Sequence, residues 1–508
     1  MSGRFVKNTL YGSLTALSTT LGGFVVNVIV ARLLGVSETG SYTFAIWIVA
    51  ISSTVTGAGL PFTLTRYLPE IADRPGATSP LGLARFLLPR AFMLNALPSL
   101  LAGSYAIWLV LNPISDAATV KSAGIEDPVC WLLIGLCCST QAIADYAKGY
   151  LRGVHHLDRV ARLSTGGICI QLFCMAIGTA MFGLRGSLAG YFLGGVLPII
   201  ALRDLRGIEG HASAELRRRI SIYARYRWAS EIASAFVFSR VEIFFLQLTA
   251  AAPSVGLFAA ALTISNLAAQ GPLMLTWGLL PHLTEQFSRN DLDSLKATYA
   301  AATRLLAFLV FPCCFGLAAI LPALLPVLYG TSFSGAGPAA AILVLGGSLT
   351  ATSAIGTNVI WAMERSHIDL YFGLIGAAFS ILVGFPLIAH FGLLGAAVAR
   401  VATQGLVVGL GVWYIANRLG FSLPWTGLAR LAVSAAFCAL IAHSVLSVFH
   451  GIPGLMLAIG SGAGAYILAV SITGALDGSD VERMSKAFHR LPRPLGSIAR
   501  RFVSFAFG

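Results

Sequence analysis

Fourteen apolar runs follow one another along this chain, each close to or longer than the roughly 20 residues that a helix needs to cross a bilayer. They fall at about 9–34, 41–66, 84–111, 128–150, 161–182, 186–202, 224–249, 255–284, 300–328, 337–362, 369–390, 393–417, 426–448 and 453–475. A peptide group in hydrocarbon finds no solvent partner, so such runs must satisfy their own backbones as helices. With only short connections between them, they predict an all-α polytopic membrane protein with about 14 transmembrane helices. A mean hydropathy of +0.80, with 56% hydrophobic and 11% charged residues over 508 positions, excludes a string of soluble domains.

The net charge of +13 follows from the same architecture. With the N-terminus in the cytoplasm, 29 of the 34 Lys and Arg fall in cytoplasmic loops and the two termini. Two, Lys121 and Arg185, fall outside, and three, Arg32, Arg240 and Arg400, fall inside helices. That asymmetry fixes orientation and predicts both termini in the cytoplasm. It removes the case for nucleic acid and leaves membrane lipids as the partners of the basic loops. Arg4 and Lys7 precede an apolar run that continues to Leu34 without a small-residue cleavage pattern, so it is read as a retained first helix. All eight cysteines lie in apolar segments without metal-ligand spacing, which points to packed thiols and no metal or other cofactor.

The chain also repeats itself. Gly40, in the turn after helix 1, corresponds to Gly256 after helix 7, and Leu60-Pro61 corresponds to Leu280-Pro281. His156-Leu157-Asp158 recurs as His367-Ile368-Asp369, and Gly183-Leu184-Arg185-Gly186 as Gly392-Leu393-Leu394-Gly395. The matches keep their order at nearly one offset, which predicts two pseudo-symmetric six-helix lobes. Six is even, so the lobes are parallel repeats about an axis along the membrane normal. The predicted organisation is an N-lobe over 1–202, a basic cytoplasmic linker over 203–223, a C-lobe over 224–417, helices 13 and 14 over 418–476, and a basic cytoplasmic tail over 477–508. A kink is expected in helix 8 near Gly271-Pro272, either facing a cavity between the lobes or serving packing alone.

Ionisable and polar groups inside the bilayer are the candidate functional residues, because burying them is expensive. Helix 4 carries Gln141, Asp145, Lys148 and Arg152 at a spacing that makes one polar stripe. It is either a helix end leaving the membrane or a wall of an inward-open cavity. Helix 7 places Glu231 and Glu242 within about 20° on one face, with Arg240 roughly opposite. The two glutamates are candidates for ion coupling; Glu231 could equally snorkel to the surface, and Arg240 line a cavity. Helix 12 carries Arg400 with Gln404 a turn later, suited either to helix packing or to substrate contact. Helix 1 offers Asn27 and, near its outer end, Arg32, which could instead reach the headgroups; helix 2 ends with Arg66. No P-loop pattern is present and no outer loop is long enough to carry a catalytic cluster, so an enzyme is not expected.

The first hairpin carries a resemblance. Helix 1 ending Ala31-Arg32-Leu33-Leu34-Gly35, the turn to Gly40-Ser41-Tyr42, and helix 2 ending Gly59-Leu60-Pro61 and Thr65-Arg66-Tyr67 resemble the polysaccharide transport family. So do the Gly-Leu-x-Gly turns before helices 6 and 12. These are flippases within the multidrug, oligosaccharidyl-lipid and polysaccharide exporter superfamily. The resemblance implies alternating access by two lobes that move a polyprenyl-pyrophosphate-linked glycan across the bacterial inner membrane for surface polysaccharide. It implies as partners that glycan, membrane lipids and the polymerase or chain-length machinery of glycan assembly. Arg240, Arg400, Arg32 and Arg66 would then meet the diphosphate through charge-assisted hydrogen bonds. Gln141, Asp145, Lys148, Asn27 and Gln404 would supply further polar contacts. The alternatives are a cation-coupled multidrug exporter and a lipid II flippase. The middle of helix 1 offers Ser18, Thr19, Thr20 and Asn27 where the lipid II flippases are richer in arginine.

Overall fold

The computed structural model describes residues 3–73, 79–112, 125–238, 241–250, 252–273, 276, 279–363 and 365–475. The predicted tail over 477–508 lies outside the described residues. Within them every regular element is helical. The α-helices are α1 (Gly3–Thr56), α2 (Leu60–Asp73), α3 (Pro80–Leu111), α4 (Pro128–Gly153), α5 (Leu157–Val196), α6 (Ala214–Phe238), α7 (Val241–Thr249), α8 (Ala252–Leu273), α9 (Leu279–Ser288), α10 (Leu292–Tyr329), α11 (Gly337–Ala362), α12 (Ser366–Phe379), α13 (Phe385–Leu419), α14 (Trp425–Val448) and α15 (Gly451–Thr473). A 3-10 segment, Leu197–Leu205, continues α5, and a π-helical segment, Ser380–Gly384, joins α12 to α13.

Among the described residues ten stretches are long and apolar enough to cross a membrane. Three of them, of 42, 49 and 53 residues, are far too long for one crossing. Each contains one glycine with non-helical backbone angles: Gly35 in α1, Gly183 in α5 and Gly392 in α13. Divided there, the ten stretches give thirteen crossings among the described residues, and the predicted span 224–249 covers part of α6 and all of α7, with 239–240 between them outside the described residues.

The two Gly-Leu-x-Gly turns are the same structure built twice. Gly183 has φ 56 and ψ −131, and Gly392 has φ 54 and ψ −125, a region that side chains with a Cβ avoid. The second glycine of each motif serves close approach. A Cβ on Gly186 would stand 1.8 Å from the Gly178 carbonyl oxygen, and one on Gly395 would stand 2.1 Å from that of Leu387. Residues eight apart touch in this way only where the helix has doubled back on itself. Thr179 and Ser187 hydrogen-bond across the first of these hairpins at 2.8 Å. The first hairpin of the chain differs from expectation. Val36 to Gly40 is not a polar turn but helix, because Gly35 alone, at φ 75, makes the break.

The chain packs into two compact units, Met1–Ala260 with Ser380–Ala396, and Ala261–Phe379 with Ala397–Gly508. In the first, α2, α3 and α4 enclose a core of Leu64, Leu68, Leu83, Leu87, Tyr146 and Leu151. In the second, α14 and α15 pack on α10 around Phe308, Phe311, Leu431 and Tyr466, and the Tyr466 hydroxyl donates to the Phe308 carbonyl at 2.9 Å. The basic stretch after α5 is helical from Ala214, where the Ser213 hydroxyl accepts from the Leu216 amide at 3.3 Å. Gly271 and Pro272, where a kink is expected, lie within α8 near its end at Leu273, and the stretch before α9 at Leu279 falls largely outside the described residues.

Substituting Gly183 with Ala forces a β-carbon into that backbone region, at a cost of about 1–3 kcal/mol. Gly186→Ala displaces the hairpin itself and is the more damaging change. Gly103→Ala, whose β-carbon would meet nothing within 4 Å, is the control. Thermal unfolding in detergent should lower the midpoint in the order Gly186→Ala, Gly183→Ala, and leave the Gly103→Ala midpoint unchanged.

Candidate functional site

The polar stripe of α4 does not run into open solvent alone; two other crossings close on it. Asp145 accepts from Gln141 Nε2 at 2.9 Å and from Ser53 Oγ of α1 at 3.1 Å, and Lys148 Nζ lies 3.2 Å from its other carboxylate oxygen. Tyr191 of α5 donates to Gln141 Oε1 at 3.1 Å. The result is a five-residue network on three segments, with Asp145 at its centre and Lys148 as its cation. Sequence reasoning found Gln141, Asp145 and Lys148 and missed Ser53 and Tyr191, since a lone hydroxyl within an apolar run carries no signal of its own.

The polar groups of helix 1 are occupied locally. Asn27 Nδ2 donates to the Gly23 carbonyl one turn back at 2.8 Å, and Ser18 meets Thr165 of α5 at 3.2 Å. Arg32 is exposed near Gly35. Arg66, also exposed, holds its guanidinium over the Tyr223 ring at 5.4 Å. Glu231 is paired with Arg227 of its own helix at 2.5 Å. Glu242 is buried at the start of α7; residues 239–240, between it and α6, lie outside the described residues. In the second unit Arg400 is buried and Gln404 half-buried on α13. Arg240 lies outside the described residues.

The repeat leaves a direct mark in the first unit. A Cβ on Gly40 would stand 1.9 Å from the Ala252 carbonyl oxygen, and one on Gly256 would stand 2.2 Å from that of Val36. Each glycine thus receives the carbonyl four residues before its repeat mate, in the reciprocal pattern of a two-fold axis. Both lie within helices, Gly40 in α1 and Gly256 in α8, rather than in the turns where the sequence reading placed them. Small residues let helices in a membrane touch at the backbone, and this crossing is of that kind.

Outside the helices, Asp127 caps α4 through the Val129 amide at 3.0 Å and pairs with Arg185 at the Gly-Leu-x-Gly turn. Desolvation opposes the Asp127 charge, but hydrogen bonds from Arg185, Val129 and Cys130 outweigh it and hold the carboxyl below its ordinary value.

This fold is shared with solved transporters of the MOP superfamily. The chain superposes on the lipid II flippase MurJ in an inward closed conformation with a TM-score of 0.75 at 12% identity, covering 91% of this chain and 98% of that one. It superposes on an inward-facing multidrug resistance MATE family transporter of the MOP superfamily with a TM-score of 0.65 at 14% identity, covering 79% and 94%. These neighbours are a flippase and a transporter rather than enzymes. The profile of the polysaccharide biosynthesis protein family matches residues 5–287, more than half of the chain, and the chain belongs to that family. Residues 272–461 match the profile of the lipid II flippase MurJ. No curated protein sequence gives a significant match.

Two outcomes follow from this geometry. Tyr191→Phe removes one hydrogen bond and leaves Gln141 Oε1 without its donor, lowering stability by about 1 kcal/mol. The Asp127 carboxyl is depressed in the folded protein, so its stabilisation is complete above the ordinary value of 3.8 and is lost as pH falls through the folded value. Arg185→Gln should therefore flatten the acid limb of a plot of unfolding midpoint against pH.

Proposed function

We propose that the chain translocates a polyprenyl-pyrophosphate-linked oligosaccharide across the bacterial inner membrane for surface polysaccharide biosynthesis. The match of residues 5–287 to the polysaccharide biosynthesis protein family is the observation that carries this reading. The sugars and diphosphate cross through a polar path while the polyprenyl chain stays in lipid, and two six-helix lobes rock to open that path to either side. Both termini lie in the cytoplasm, where the charge asymmetry places them.

The candidate contacts for the headgroup are the network around Asp145 in the first unit and Arg400 in the second, together with Arg240, which is kept from the sequence reading. Arginine suits a diphosphate because its guanidinium presents paired donors in a fork. The Gly40–Gly256 crossing is the point at which the outer ends of the two lobes close and about which they part. A lipid II substrate is the second reading, favoured by the match of residues 272–461 to the lipid II flippase MurJ.

Deleting the gene and extracting lipid-linked intermediates tests the substrate. Accumulation of one completed oligosaccharide unit on the polyprenyl carrier supports the first reading. Accumulation of lipid II supports the second, and an unchanged pool with heightened drug sensitivity rejects both. In a complemented strain, Arg240→Ala and Arg400→Ala should lose surface glycan at unchanged membrane protein level. Gly40→Val and Gly256→Val should each do the same, and the double variant should be no worse than either, because both displace one contact.

A further inference from the structure

A cleft of about 390 Å³ lies in the first unit between α3 and the N-terminal half of α6, with Val55 of its wall two residues along α1 from Ser53 of the Asp145 network. It exists because α6 runs across the turn between α1 and α2. Gly59 at that turn has φ 68, and a β-carbon there would stand 2.7 Å from the Ala224 carbonyl oxygen. Trp228 Nε1 donates to the Val55 carbonyl at 2.8 Å and pins the same helix one turn further on. The floor between them is apolar, formed by Leu60, Leu87 and Ile220.

Three arginines converge on this apolar cleft: Arg90 from α3, and Arg217 and Arg225 from α6. Arg90 and Arg217 share one ring, with their guanidinium carbons 4.8 and 5.7 Å from the centroid of Phe86. Stacking orders both side chains but neutralises neither. Among the described residues no carboxylate pairs with any of the three. Their neighbours on α6 are matched differently, with Arg219 on Glu70 at 2.8 Å and Arg227 on Glu231 at 2.5 Å. A cluster of three like charges around an apolar floor is favourable when an anion sits among them.

The surroundings say what kind of anion. Leu94, at 43% exposure, belongs to the cleft wall. From it the outward surface of α3 continues as two adjacent apolar rows, with Met93, Leu97, Leu100 and Leu101 each more than half exposed. A free phosphate would use the arginines and nothing else. A diacyl lipid would use both, with the phosphate among the guanidinium groups and the two chains along the two rows.

We propose that this cleft is a binding site for the phosphate headgroup of an anionic glycerophospholipid. The bound lipid joins α3 to α6, and so ties the start of the second half of the chain to the first. None of the residues that line the cleft belongs to the Asp145 network, and the proposal does not rest on the identity of the transported substrate.

Native mass spectrometry of the full-length protein in detergent tests it, with phosphatidylglycerol and phosphatidylcholine of identical acyl chains as probes. Phosphatidylglycerol should bind preferentially. The variant Arg90→Gln, Arg217→Gln, Arg225→Gln should weaken it at least tenfold, while Arg218→Gln, on the same helix but outside the cleft, leaves it unchanged. Brominated phosphatidylglycerol should quench the Trp228 component of the fluorescence, taken as the difference from Trp228→Phe, and the triple variant should lose that quenching with its circular dichroism intact. Equal binding of the two lipids, undiminished binding by the triple variant, or displacement by inorganic phosphate at millimolar concentration would each overturn the proposal.

Discussion

Hydrocarbon offers a peptide group no hydrogen-bond partner, and most of this chain's architecture follows from that single constraint. Each crossing must be a helix, and where the chain reverses without leaving helix the turn has to be made by very few residues. Gly183 and Gly392 show how little is needed, since one residue with positive φ turns the chain in each case. The glycine three positions later lets the returning helix lie against the outgoing one at backbone distance. The two members of the motif therefore do different jobs, one conformational and one steric. A substitution at either is felt for its own reason.

The same constraint explains why the polar groups inside the helices come as networks. An isolated carboxylate in a membrane is expensive, and Asp145 is not isolated. Ser53, Gln141 and Lys148 all reach it, and Tyr191 closes the set from another helix. Asn27 shows the cheaper solution, a bond back to the carbonyl one turn earlier on its own helix. Of the two, only the network brings a charge pair together with polar groups from more than one helix.

Much of the fold was legible in the sequence because hydrophobic length and charge asymmetry are local quantities. The apolar crossings could be read from them directly, and the Gly-Leu-x-Gly turns from the repeat that they mark. The polar turn expected at Val36 to Gly40 was misplaced, since Ser37, Glu38 and Thr39 suggested a loop by composition while Gly35 could make the break unaided. The helical start of α6 at Ala214 escaped notice because a charged stretch without an apolar face does not announce itself by hydropathy. At the site, the α4 stripe was visible as an i, i+4, i+7 pattern. Ser53 and Tyr191 were not, because their partners lie 92 and 50 residues away along the chain.

The Gly40–Gly256 crossing joins these levels. As a sequence match it was one pair of glycines at an offset that several other pairs shared. In the structure the pair touches reciprocally, Gly40 on Ala252 and Gly256 on Val36, as two copies of one segment must when they meet on their common axis. A contact on such an axis is the one place where both copies can separate by rotating through equal and opposite angles. It is also where neither glycine can acquire a side chain without its mate feeling it. The absence of a β-carbon at these two positions therefore follows from the reciprocal contact, each glycine being the surface on which the other segment rests.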